Sequence, residues 1–177
     1  MEIVVYDTNI IKELHNMHLL STMEKSGWQI HITGLALNEL KRPVRGSILT
    51  SLPCLHVYEY NHIDQYIALQ NYMDRIAQKG NLSMADCSML LLAKEKYAIL
   101  CSNDRKMRTV ARNEGIQVRG TIGVVLLLLE HNRIDADQAI TAVQTLQTTN
   151  PQIGNDLIEE AIRRIEEIKG GEKLDIF

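Results

Sequence analysis

Short apolar runs and helix-period stripes alternate along most of this chain. Residues 3–6, Ile-Val-Val-Tyr, form a continuous apolar run of the kind expected of a strand covered on both faces, and the polar triplet Asp7-Thr8-Asn9 then opens a helical pattern. Residues 28–33 read as a second strand. After Gly34 the spacing predicts a helix carrying Leu35, Leu37 and Leu40, broken at or near its exit by Pro43 and Gly46. Residues 54–60 fit a short additional strand. Ile63, Tyr66, Ile67, Met73 and Ile76 mark one face of a longer helix expected to end near Gly80. Next come a helix over 83–96 that is apolar on most sides, a strand over 97–101, and a helix over 104–114 with Met107, Val110 and Ala111 inward. Gly115 is its expected C-cap, and residues 116–118 make the next strand.

Strands alternating with helices at this spacing require a central parallel sheet with right-handed crossovers, so the expected class is α/β, a three-layer α/β/α sandwich. Beyond Gly120 the pattern is helical only, over 122–130, 136–147 and 157–168. The last segment carries a stripe of Leu157, Ile158, Ala161, Ile162, Ile165 and Ile168, with Glu159/Arg163 and Glu160/Arg164 as expected ion pairs. The expected organisation is a domain over 1–130 and a C-terminal helical extension over 131–177, packed on that domain or on a partner.

Composition narrows the class. The chain has 177 residues, 45% of them apolar and 23% charged, enough for one ordinary core and inconsistent with disorder throughout. The longest apolar run, Val124 to Leu129, has six residues, far short of the ~20 that a membrane-spanning helix needs. The start Met1-Glu2-Ile3-Val4-Val5-Tyr6-Asp7 lacks the basic and long apolar segments of a secretory signal, so a cytoplasmic protein is expected. Cys54, Cys87 and Cys101 have no metal-binding spacing and read as reduced, buried thiols.

The net charge of −3 excludes the global basic field of a tight DNA binder. Bases nevertheless cluster at Lys41, Arg42 and Arg45 and again at Arg105, Lys106, Arg108 and Arg112. Each cluster is either solvated surface or a source of modest, salt-sensitive phosphate contacts. The six histidines are scattered, and His15/His18 do not make a zinc site. No glycine-rich phosphate loop is present, and aromatic residues are too few for a base-stacking platform.

In an open parallel sheet, ligands bind beyond the carboxyl ends of the strands. Asp7 follows the first strand directly, Asp104 follows the 97–101 strand, Asp86 lies in the first turn of the apolar helix, and Glu39 sits about a turn into the helix after the second strand. Taken singly, Asp7 and Asp104 fit helix N-caps, Asp86 fits a capping box with Ser83, and Glu39 fits a surface glutamate. Taken together, in the order strand-Asp, helix-Glu, helix-Asp, strand-Asp, they place four carboxylates on one rim.

These residues carry a resemblance. Val4-Val5-Tyr6-Asp7-Thr8-Asn9, Glu39 within Leu37-Asn38-Glu39-Leu40, Asp86 within Leu82-Ser83-Met84-Ala85-Asp86, Ser102-Asn103-Asp104 and residues 115–121 together resemble the PIN-domain family, which includes toxin nucleases of toxin–antitoxin pairs. The resemblance covers about residues 2–130, and residues 152–158 are loosely similar to the tail of a less characterised subgroup of predicted PIN nucleases. It implies metal coordination by Asp7, Glu39, Asp86 and Asp104, with Asn9 and Ser102 supporting the pocket by hydrogen bonds. Asp7, Asp86 and Asp104 would be the core ligands, and Glu39 would hold a second ion or a coordinated water.

Two carboxylates ~4 Å apart repel by about 4 kcal/mol at an effective dielectric near 20, and four of them call for a cation. Hard oxygen donors favour Mg²⁺ or Mn²⁺. The implied activity is a divalent-metal-dependent endoribonuclease, with the toxin of a toxin–antitoxin pair as one role found in the family. RNA, an antitoxin protein and a second copy of the chain are the expected partners, with no membrane among them. Lys41, Arg42, Arg105 and Lys106 are the candidate RNA phosphate contacts. The alternative is a non-catalytic PIN-like module that binds RNA or protein and uses the acids as caps. A phosphatase with Asp7 as nucleophile is disfavoured, because the second aspartate such enzymes want two residues on is replaced by Asn9.

Overall fold

The computed structural model describes residues 2–76 and 81–170, so the helix end expected near Gly80 lies outside the described residues. Its centre is β1 (Ile3–Tyr6), whose Val4, Val5 and Tyr6 are fully buried, as the unbroken apolar run requires. β1 pairs in parallel with β2 (Gln29–Thr33) on one side and β4 (Ile99–Cys101) on the other. β3 (His56–Tyr58) and β5 (Val118–Arg119) complete a five-stranded, all-parallel sheet in the order β3-β2-β1-β4-β5. The chain therefore builds outward from β1 to β3, then crosses back to add β4 and β5 on the other edge. The order reverses between β1 and β4, and in parallel sheets ligands bind at the carboxyl ends of the strands beside such a reversal.

The helices are α1 (Thr8–Asn16), α2 (Leu20–Glu24), α3 (Gly34–Leu37), α4 (Arg42–Ser51), α5 (Ile63–Ile76), α6 (Met84–Glu95), α7 (Arg105–Asn113), α8 (Thr121–Glu130), α9 (Ala136–Thr149) and α10 (Asn155–Lys169). The expected α/β/α sandwich is present. α6 lies across β1, β2 and β4, with α3 and α5 against it, while α1, α8 and α9 pack on one another in the second helical layer. α6 is buried on nearly every side, from Ala85 to Ala93, which explains its lack of an amphipathic period. α9 and α10 place Ala139, Val143, Leu146, Ile158, Ala161 and Ile165 in the same core as the sheet.

Several boundaries differ from expectation for local reasons. The helix after β2 ends at Leu37, and Pro43 does not break a helix but stands in the first turn of a new one, α4, where its missing N–H costs nothing. α2 had no visible signal in the sequence. Leu157 was expected in the buried stripe of α10 but is 53% exposed. On the outer face Glu160 takes both Arg163 and Arg164, and Arg163 turns to Glu167 instead of Glu159. All three cysteines are free, but Cys54 is only half-buried, on the margin of the sheet, whereas Cys87 and Cys101 are buried as expected. No helix among the described residues is long and apolar enough to cross a membrane.

β4 begins two residues later than the apolar run does. Tyr97 has a left-handed conformation, φ 51°, because it closes α6: Ala98 N–H donates to Ala93 O at 2.9 Å and Tyr97 N–H to Lys94 O at 3.3 Å. The tyrosine side chain is 97% exposed and repays none of that strain by packing. Tyr97→Gly should therefore stabilise the fold by about 1 kcal/mol and raise Tm by about 2–4 °C in a thermal melt. A lower Tm would show that the tyrosine ring contributes more than its backbone costs.

Candidate metal and substrate site

The carboxylate at the switch point is Asp7. It follows β1 and is the N-cap of α1, and its own N–H pairs with Cys101 O of β4 at 2.9 Å. The side chain is only 6% exposed. Oδ1 accepts from the Asn9 backbone N–H at 3.2 Å and from Thr8 Oγ1 at 3.3 Å, while Oδ2 accepts from Ser102 Oγ at 2.8 Å. Burial pushes the Asp7 pKa up and the nearby Asp86 charge adds to that, against the lowering effect of the hydrogen bonds from Ser102, Asn9 and Thr8.

Ser102 is fully buried just past β4 and joins two of the candidate acids: its Oγ donates to Asp7 and accepts from Asp104 N–H at 3.1 Å. Asp104 is the N-cap of α7 through Met107 N–H at 2.7 Å, and its side chain reaches solvent. Asp86 sits at the third position of α6 and completes the capping box: Oδ2 accepts from Ser83 N–H at 3.0 Å and Ser83 Oγ at 2.8 Å. The box engages Oδ2 alone.

Glu39 lies past the end of α3, in an exposed turn and not within a helix as expected. Its pKa is raised first by partial burial, then by the charges of Asp86 and Asp7, with Lys12 opposing. Asp7, Asp86 and Glu39 thus share one electrostatic neighbourhood, and Asp104 is tied to it through Ser102 rather than by direct repulsion. Among the described residues no three His, Cys, Asp or Glu side chains are close enough to enclose a metal as they stand. The donor chemistry nevertheless fits a hard cation: carboxylate oxygens whose mutual repulsion already shows in Glu39 and Asp7.

Of the two supporting residues, Ser102 contributes its side chain. Asn9 contributes its backbone N–H to Asp7, and its side chain instead accepts from Lys12 Nζ at 3.4 Å. Lys41, Arg42, Arg105 and Lys106 are all exposed, and of these Arg105 borders the cavity described next.

A further acid was missed. Glu13, on α1, is 9% exposed and accepts from Asn103 Nδ2 at 2.8 Å and from Thr121 Oγ1 on Oε2, and from Asn150 Nδ2 at 2.7 Å on Oε1. Beside it opens a polar cavity of about 500 Å³ that reaches Asn9 and Asp104. A signal existed: Asn9, Lys12, Glu13 and Asn16 make a polar stripe at helical spacing, opposite the buried Ile10, Ile11 and Leu14.

Over residues 3–167 the chain matches the PIN-domain family DUF3368. Among solved structures it is similar to a PilT N-terminus domain protein from the hyperthermophilic archaeon Sulfolobus solfataricus, at 16% identity and a TM-score of 0.48 over 74% of this chain and 96% of that one. It is similar also to VapBC2 from Rickettsia felis bound to a DNA fragment from its promoter, at 19% identity and a TM-score of 0.48 over 67% and 98%. No curated protein matches in sequence.

The raised Asp7 pKa has a definite sign. Folding favours the protonated form, so this contribution to stability is fully present below the unfolded pKa and is lost as pH rises through the folded one. Asn keeps the cap on Asn9 N–H and carries no charge. In metal-free buffer at pH 7, Asp7→Asn should therefore raise Tm and flatten the acid side of the pH–stability profile. A Tm lowered at pH 7 would mean that the ionised carboxylate is stabilising as it stands.

Proposed function

The chain belongs to the PIN-domain family, and on that premise we propose that it is a divalent-metal-dependent endoribonuclease. The observation that supports this reading best is the placement of Asp7, Glu39 and Asp86 within reach of one another's charge, with Asp104 linked to Asp7 through Ser102. These four carboxylates would hold Mg²⁺ or Mn²⁺. When bound, such an ion relieves their repulsion, makes water more acidic and neutralises charge that builds on the phosphate during hydrolysis.

The chain's own residues have separable tasks. Asp7 is the fixed ligand, because its position is set by the β1–β4 pairing, the α1 cap and Ser102 together. Glu39, exposed and with a pKa raised by partial burial and by the Asp86 and Asp7 charges, would hold a second ion or a coordinated water. Asp86 lies in the first turn of α6 and Asp104 is the N-cap of α7, so the positive ends of two helix dipoles would favour a phosphate held at these acids. Arg105 and Lys106, in the first turn of α7, supply exposed cations beside Asp104. In a toxin–antitoxin role, an antitoxin peptide would cover this same rim.

One observation favours the alternative of a non-catalytic binding module: Asp86 and Asp104 both have complete structural roles as caps. Cleavage separates the two readings. Single-stranded RNA should be cut in Mg²⁺ or Mn²⁺, and either EDTA or Asp7→Asn should lower the rate by at least ~100-fold, an effect of the size expected when charge stabilisation in an active site is removed. Mg²⁺ should also raise Tm of the native protein more than that of Asp104→Asn. RNA that is bound but never cut would establish the binding module, and cutting that survives EDTA would remove the metal from the mechanism.

A further inference from the structure

We propose that the polar cavity beside Glu13 is a nucleobase pocket that receives an adenine of the RNA strand next to the cleaved phosphate, an inference that rests on the ribonuclease reading above. The cavity, about 500 Å³, has the volume of a small-molecule site. Asn9 and Asp104 line it and also belong to the carboxylate rim, so a strand lying across the rim would deliver a neighbouring base into it.

The lining is rich in carboxamides. Asn and Gln present a donor and an acceptor on one planar group, which matches adenine N6 and N7 in a bidentate pair. A pocket for a free anion would instead be lined by converging cations, and here Lys12 and Arg105 are the only basic members among the lining residues. Unstacked bases of single-stranded RNA are read by hydrogen bonds to their edges, and this cavity offers such bonds without an aromatic platform.

The amides divide into held and available groups. Asn103 is held: Nδ2 donates to Glu13 Oε2 and Thr121 Oγ1, both at 2.8 Å, and Oδ1 accepts from Thr121 N–H at 3.2 Å. Asn150 is tied by Nδ2 to Glu13 Oε1 and by Oδ1 to Gln152 N–H at 3.2 Å. Gly120 leaves room for this arrangement, since a Cβ there would stand 2.6 Å from Asn103 Oδ1. Asn16 and Gln152, by contrast, make no side-chain hydrogen bond among the described residues, and both are exposed to the cavity mouth. Glu13 therefore acts as a buried peg that sets the wall, and Asn16 and Gln152 are the base readers.

The wall also unites distant parts of the chain. Asn103 lies between Ser102 and Asp104, so the peg that sets the pocket also holds the loop that carries a rim carboxylate. Asn150 and Gln152 come from the turn between α9 and α10, which makes the C-terminal helices part of substrate recognition and gives them a purpose beyond covering the core.

Fluorescence anisotropy with short single-stranded RNAs in EDTA, identical except for A, G, C or U at the central position, tests the pocket without cleavage. The native chain should bind the A-containing strand about tenfold more tightly than the U-containing one, the discrimination typical of a bidentate amide–adenine pair. Asn16→Ala/Gln152→Ala, changed only at exposed positions, should bind all four strands alike with an unaltered Tm. Equal affinities in the native chain, preference for another base, or a preference for A that persists in the double variant would each overturn the proposal. Cleavage in Mg²⁺ is scored separately. Selective binding without cleavage removes the nuclease reading and keeps the pocket, and cleavage without selective binding does the reverse.

Discussion

The Ser102 Oγ to Asp7 Oδ2 hydrogen bond joins the carboxyl ends of β1 and β4 at the point where the strand order reverses, and much of the molecule is organised around it. A carboxylate so nearly excluded from water is costly unless its oxygens are satisfied. Here a backbone N–H from the first turn of α1 and hydroxyls from Thr8 and Ser102 supply the partners. The remaining cost appears as a raised pKa rather than as an unpaired group. Because Ser102 also receives the Asp104 N–H, one fully buried hydroxyl sets the spacing of two acids that lie almost a hundred residues apart in sequence.

Three of the four candidate acids are helix caps. Asp7 and Asp104 are N-caps and Asp86 closes a capping box. A cap holds its carboxylate at the positive end of a helix dipole, which offsets part of the repulsion between like charges gathered in one cleft. It also immobilises the side chain against the backbone. A capping bond leaves carboxylate oxygen free, as the capping box of Asp86 does by engaging Oδ2 alone. Glu39 is the exception, held by a turn rather than a cap, and it is exposed, as is Asp104.

Glu13 shows how a second polar centre can be invisible when acids are sought only at strand ends. It lies within a helix, and the partners that make it tolerable, Asn103, Thr121 and Asn150, come from three other places in the chain. Its network spans α1, the loop after β4, the start of α8 and the turn after α9. It fastens the C-terminal helices to the rim at a polar point, while Val143, Leu146, Ile158 and Ile165 fasten them through the core.

The alternation of buried strands and amphipathic helices, the parallel sheet, and the attachment of Asp7, Asp86 and Asp104 to element starts were all legible from the residues, because strand burial and capping are short-range chemistry. Local boundaries failed where a backbone choice overrode the apolar pattern, as at Tyr97, which ends a helix instead of starting a strand, and at Pro43, which begins one instead of ending it. Sequence alone thus determined which residues could be strands, cores and caps. Only the tertiary structure decided that Ser102 bridges Asp7 and Asp104, that Asn9 serves through its backbone, and that Glu13 and Asn150 meet across 137 positions. The reason is that a hydrogen bond between distant residues depends on distances and directions set by the whole packed sheet, and no local period or spacing encodes them.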